Sequence, residues 1–543
     1  MVSAHRHSDL QAQSKEVAKA FLQSVVLLDD KVEMSASSTL PAPPTSPQSL
    51  VPPEFPGDIA PSAGRSRETF EVRLNAGQVI DAFARIGAVC AVLTTGTDDS
   101  YQDRVYSTAM RADIVILDWK LEESTGDSAL EIIHRILEAD SDTPRLRLVA
   151  IYTGEPGIAR IADRIEDLLH EICDQDVHMA DRCHMATKSL RVVILAKPDT
   201  LNDQTRALGA EEVSEDGLAD KLLDEFSRLT TGLLPNVAVA GAAAIRDNAH
   251  KMLAQFSQDL DAAYLGHRML LPHPPESEDQ LVRALGAEIL SILEEAKPGA
   301  HADADAIDMW LDEADSELLA SPFTFDGNLD ARENWRVLLR QGIDADSSRL
   351  PKGGKSKLVP SSTEVFTIDQ ATAELSNRRF AALLNLKTRY VEHAPCLAIG
   401  TLVRIEGENP HQYLLCLLPK CDSVRLDSPT RVPFAPLQPH SNRKGQKTLR
   451  VVLQLDTDTW VHLELASRLS ELEVAVFQPG TNPPGEIVAQ HDASGRYIFE
   501  DENSRRYIWM AALKDEHAFG IATEVAAALA RPGPDDAEWL RQR

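Results

Sequence analysis

Six cysteines in 543 residues are too few for a disulfide scaffold, and no two of them stand in a C-x-x-C spacing. The one grouping of ligand types, Cys173, His178, Cys183 and His184, matches none of the usual zinc spacings and reads as a polar excursion between elements. Positive charge is also short. Against 84 acidic residues stand 55 Lys and Arg, a net charge of −29 that repels phosphate backbones and anionic headgroups and argues against nucleic-acid binding. Long apolar runs are absent: no stretch approaches the roughly 20 residues of a membrane span, and Met1–His7 lacks the apolar core of a secretion signal. The expectation is a soluble, cytoplasmic chain with no membrane partner, long enough for roughly two to four domains.

What the chain does have is a series of short apolar runs that stop abruptly at polar residues. Ile114–Leu117 ends in Asp118, Ser24–Leu28 in Asp29 and Asp30, Val149–Tyr152 in Thr153 and Gly154, and Val192–Ala196 in Lys197 and Pro198. Runs rich in β-branched residues read as strands buried on both faces of a parallel sheet. Their last side chains then emerge at the carboxyl edge, where open α/β sheets bind ligands. Amphipathic stretches at 75–88, 101–111, 126–138, 156–171 and 215–231 alternate with these runs and with Val89–Leu93. The pattern predicts an α/β fold, flavodoxin-like, with a five-stranded parallel sheet in the order 2-1-3-4-5. Its switch point falls between the strands that carry Asp29, Asp30 and Asp118.

This first domain is read as 1–232, interrupted by a segment at about 31–67 with eight prolines between Pro41 and Pro61, whose composition predicts a loop rather than packed structure. An α-helical region follows at 233–393, with one long helix over 240–266, others at 277–296, 304–319, 329–341 and 368–386, and a polar linker at Lys352–Lys357 that lacks the Walker spacing. From 394 to 543 the period becomes alternating, which predicts a β-rich α+β domain. Its strands are expected at 397–405, 412–418, 423–426, 448–455, 460–465, 472–477 and 496–499, with a final helix over 516–530. His250 and His267 read as polar-face histidines of the helical region, and Cys416, Cys421 and Asp422 as core and turn residues.

Acid pair, single acid, hydroxyl and lysine, each at a strand end and in that order, resemble the receiver domain of two-component response regulators over about residues 20–232. The resemblance implies that Asp118 is the phosphoacceptor and that Asp29, Asp30, Asp118 and the backbone carbonyl of Lys120 hold Mg²⁺. It also implies that Thr153 and Lys197 bind the transferred group, and that Lys197-Pro198 is a step receivers often make through a cis peptide. Gly126 falls where receivers place a glycine. Trp119-Lys120 stands where a proline-containing turn is usual, and Ile194 where an aromatic switch residue is usual. Gly232–Asn236, Ala244–His250 and Tyr413–Arg425 are similar to segments of large bacterial receiver proteins linked to antiphage defence, such as the two-component systems called Detocs. The implied partners are a histidine kinase and a second response regulator or effector. The implied role is to buffer or relay a phosphoryl signal, without enzymatic activity beyond slow self-dephosphorylation. Two alternatives stand beside it: a receiver fold that serves as a silent scaffold, and a haloacid-dehalogenase-like phosphatase, which would require Asp-x-Asp where this chain has adjacent acids.

Overall fold

The structure is a computed structural model that describes residues 10–33, 73–95, 101–121, 125–142, 144–173, 177–314, 331–344, 354–359, 361–440, 450–455, 459–466, 472–480 and 485–529. The chain divides into two compact units, 1–315 with 332–347, and 316–331 with 348–543. The helices of the central region are shared between them: those up to 313, with Ala331–Gln341, cluster with the first unit, and those from 354 with the second.

In the first unit, β1 (Ser24–Leu28), β4 (Val89–Leu93), β5 (Ile114–Leu117), β6 (Arg147–Thr153) and β9 (Leu190–Ala196) form a parallel sheet in the order β4-β1-β5-β6-β9. This is the expected 2-1-3-4-5 arrangement. Each central strand is apolar on both sides because both faces are covered. Val26, Leu28, Val115 and Leu117 face one core, packed by α3 (Tyr101–Ala109), α4 (Asp127–Asp142) and α5 (Ile158–Ile172). Their neighbours Val25, Leu27, Ile114 and Ile116 face the other, packed by α1 (Leu10–Phe21), α2 (Ala76–Arg85) and α7 (Leu218–Thr230).

The sheet is wider than the sequence predicts. The polar excursion after α5 is an antiparallel hairpin, β7 (His178–Asp181) and β8 (His184–Ala186), which extends the sheet beyond β9; β10 (Glu211–Glu212) pairs with the carboxyl end of β9. The hairpin was hidden because its strands are short and half polar, whereas the five predicted strands are long and apolar. The proline-rich segment lies outside the described residues beyond Glu33, but its ends meet: β2 (Val32–Glu33) and β3 (Leu74–Asn75) pair in parallel.

The predicted helix over 240–266 is two helices, α8 (Leu233–Gln255) and α9 (Asp261–Leu270), separated by a 3₁₀ turn at Gln258–Leu260. α10 (Glu276–Ala296) lies close on α8, where a Cβ at Gly241 would come within 3.2 Å of Leu293. Arg246 fastens α8 to the amino edge of the sheet: its guanidinium stacks 3.9 Å from the Phe21 ring and donates to Asp113 at 3.0 Å. Asp113 also accepts from the Gln23 and Ser24 amides.

Among the described residues, the second unit is built on a nine-stranded antiparallel sheet. The predicted strands recur as β11 (Thr401–Ile405), β12 (Tyr413–Cys416), β14 (Arg450–Gln454), β15 (Trp460–Leu465), β16 (Glu473–Phe477) and β18 (Tyr497–Glu500). The strand expected at 423–426 is instead a helical turn, Lys420–Ser423. Three strands were unforeseen, β13 (Thr430–Pro439), the two-residue β17 (Gln490–His491) and β19 (Arg506–Ala512). β13 contains Pro433 and Pro436, which normally demote a strand, yet their carbonyls still accept from the Leu417 and Ala466 amides. β17 (Gln490–His491) completes the sheet, and Asp515–Leu529 covers one face with Ala518, Ile521 and Val525. Gly354–Leu358, within the expected polar linker, is a single helical turn.

Candidate phosphoacceptor site

The register of β1 and β5 decides which side chains meet. Leu28 pairs with Leu117, and the Asp118 amide donates to the Leu28 carbonyl at 2.9 Å, so the residues that follow both strands emerge side by side at the carboxyl edge. Ligand oxygens of Asp29, Asp30 and Asp118 lie within 4.8 Å of one another. On the other side of β5, Thr153 ends β6 opposite Ala196, and the Lys197 amide donates to the Thr153 carbonyl. The side chain of Lys197 reaches back across β6 toward β5 and β1: its Nζ donates to Asp29 Oδ2 at 2.7 Å and to Asp118 Oδ2 at 3.3 Å. Thr153 is buried, and its hydroxyl accepts from the Glu155 amide at 3.2 Å. The Lys120 side chain turns to Glu155, 3.7 Å away.

Burial dominates the electrostatics here. It pushes the Asp118 carboxyl up to about 6, with Lys197 opposing and Asp29 and Asp30 adding to the rise. Burial alone would lower the Lys197 ammonium, but Asp118 and Asp29 outweigh it and hold the group above its ordinary value. Asp118 Oδ1 is buried with no hydrogen-bond partner. Three carboxylates against one ammonium, with an orphaned oxygen among them, fit a hard divalent cation that prefers oxygen ligands and retains waters. A second convergence of donor types, His184, Glu211 and Glu225, does not. There Lys221 bridges Glu211 and Glu225 at 2.7 and 3.0 Å and Arg191 pairs with Glu225 at 2.6 Å, so the carboxylates are already neutralised. Of the four residues weighed for zinc, His184 turns to Asp181, His178 is exposed, and burial pushes the Cys183 thiol up to about 12. His178, Cys183 and His184 belong to a hairpin rather than a ligand set, and Cys173 caps the end of α5.

One feature departs from the expected site: the Lys197–Pro198 peptide is trans, since among the described residues the cis peptide bond is Asn409–Pro410. Trp119, beside the acceptor, is buried with its ring against Gly126, leaving no room there for a Cβ on a backbone already at φ +95°, and the Arg164 guanidinium lies 5.4 Å from the indole. Trp119, Lys120, Thr125, Glu155, Arg160 and Arg164 border a cavity of about 310 Å³. Tyr152, buried on β6, donates its hydroxyl to the Val213 carbonyl at 2.8 Å, and Lys197 Nζ lies 5.8 Å from its ring. Nothing in the sequence pattern singles it out beyond its aromatic character. His267 is hydrogen-bonded to Gln280, and His250 is exposed.

The doubly wound sheet thus gathers a carboxylate cluster and a lysine at its carboxyl edge, where such sheets bind ligands. Residues 21–202 match the family model described as response receiver domain. The chain therefore carries a receiver domain, over about a third of its length, and with it the general role of a two-component phosphoacceptor. No curated protein matches the chain. Among the described residues no helix is long and apolar enough to cross a membrane.

Proposed function

We propose that Asp118 accepts a phosphoryl group from the phosphohistidine of a partner kinase, and that the protein buffers or relays this signal through protein contacts. The observation that carries the reading is the convergence of Asp29, Asp30, Asp118 and Lys197 at one strand-end crevice. In the transfer, an Asp118 oxygen bonds to phosphorus as the phosphorus–nitrogen bond breaks, and the leaving imidazole takes up a proton. Asp118 near neutral pH is ionised enough to act, and Lys197 moves from the acids to a phosphoryl oxygen as charge develops there. Thr153, at the adjoining strand end, donates its hydroxyl to another oxygen. Mg²⁺, held by Asp29, Asp30, Asp118 and the Lys120 carbonyl, would neutralise the incoming oxygens. The charge of −29 favours protein partners over nucleic acid; the reading takes the chain as a cytoplasmic signal carrier rather than an enzyme. Antiphage defence, with a second regulator or effector as recipient, is the setting this reading suggests.

The test is incubation of the full chain with Mg²⁺ and acetyl phosphate, followed by intact mass. One phosphoryl adduct is expected, absent when Mg²⁺ is chelated and absent in Asp118→Ala. An unmodified wild type, or an adduct undiminished in the variant, refutes the assignment.

A further inference from the structure

The loop after Asp118 has two tasks: it carries the Lys120 carbonyl and it starts α4. Its near end is packed, since Trp119 and Leu121, on either side of Lys120, are both buried. Its far end, Thr125 to Asp127, enters α4, and there the Thr125 hydroxyl donates to Asp127 Oδ2 at 3.0 Å. Arg164, on the helix that follows the Thr153 strand, grips both ends at once. Its Nη1 donates to the Thr125 carbonyl at 2.8 Å and its Nη2 to Asp127 Oδ1 at 2.5 Å, while its guanidinium carbon stands 5.4 Å from the centre of the Trp119 ring. A rigid, planar fork can bond in two directions and lie over a ring together, which a lysine cannot do. The cavity of about 310 Å³ lies between residues of this loop and residues of α5, so side chains rather than close backbone packing join the two there.

We propose that Arg164 is a positioning residue of the phosphoacceptor site: it fixes the loop after Asp118 so that the Lys120 carbonyl is preset for the cation, and thereby sets the affinity for Mg²⁺. The inference rests on the reading of Asp118 and Mg²⁺ given above. Groups that orient a metal's ligands are worth about 10–100-fold in metal affinity when removed, because a ligand left free to move must be ordered as the ion binds. The sign of the effect separates this role from plain electrostatics. Arg164 is a cation close to an acidic site, so by charge alone its removal tightens Mg²⁺ binding; as a positioning residue, its removal weakens it.

Titration calorimetry of the full chain with Mg²⁺ alone, without a phosphodonor, tests it. Arg164→Met, which keeps an apolar stem over the Trp119 ring, is expected to weaken Mg²⁺ binding at least about tenfold. Arg164→Lys, which keeps the charge but not the fork, should weaken it as well. With acetyl phosphate, both variants should need more Mg²⁺ for a half-maximal rate of adduct formation and reach the wild-type rate at saturation. Melting without Mg²⁺ is the control for fold: a variant that melts earlier but binds Mg²⁺ with unchanged affinity shows a merely structural role and overturns the proposal. A wild type that binds Mg²⁺ beside an Arg164→Met variant that binds it equally or more tightly overturns this proposal alone. A wild type that binds no Mg²⁺ overturns the phosphoacceptor reading and this proposal with it.

Discussion

At the scale of single residues, Asp118 is held in a state that folding alone would not favour. Its carboxyl titrates at about 6 rather than 3.8, so its contribution to stability is fully present below 3.8 and is lost as pH rises through 6. At neutral pH the ionised form therefore costs roughly 3 kcal/mol. Without Mg²⁺, Asp118→Asn should raise the melting temperature at pH 7.5, and the gain should vanish near pH 4. A variant no more stable than the wild type at pH 7.5 would remove the electrostatic account. Gly126 is constrained in a different way: a Cβ there would meet the Trp119 ring at 2.2 Å, on a backbone already at positive φ. Gly126→Ala should destabilise the first unit by about 1–3 kcal/mol and expose Trp119, read as a red shift in tryptophan emission. The acids and Lys197 were legible because each follows an apolar run. The bonds of Lys197 to Asp29 and Asp118 were not, since they depend on a lysine reaching over β6 and, for Asp29, over β5 as well.

At the scale of elements, the hairpin β7–β8 owes its place to a buried carboxylate. Glu225 on α7 pairs with Arg191 on β9 and with Lys221, and approaches His184 on β8 at 3.6 Å. Burial raises its carboxyl, but the cations outweigh burial and hold it below the ordinary value. The resulting stability is present above about 4.5 and is lost as pH falls through the folded value. Glu225→Gln should cost about 3–5 kcal/mol at pH 7, measured by urea denaturation, and progressively less below pH 4.5. A loss independent of pH would point to packing instead. Short elements of this kind escape sequence reading because their apolar content is too small to show a period. Hidden strand β13 is the complementary case, where prolines obscured a period that cross-strand pairing tolerates.

At the scale of the whole molecule, the first unit encloses the carboxylate site and the second contributes none of its residues. A ligand stabilises only the unit that binds it, by an amount that grows with the logarithm of its concentration. Calorimetry should therefore resolve two transitions, of which Mg²⁺ raises one alone, and Glu225→Gln should lower that same one. Two transitions moving together with Mg²⁺ would mean that the units do not melt independently. The division also separates helices that read as one region in the sequence, because amphipathic periodicity reports that a helix buries a face and not which core receives it.

The sequence by itself determined the parallel sheet, its strand order and the edge at which Asp29, Asp30, Asp118, Thr153 and Lys197 emerge, because apolar runs and their polar ends are local properties of the chain. Only the tertiary structure decided that Lys197 bridges two of the acids, that a hairpin widens the sheet, and that Arg246 fastens α8 to Asp113. Each of these rests on distances between segments far apart in the chain, which no local pattern of residues encodes.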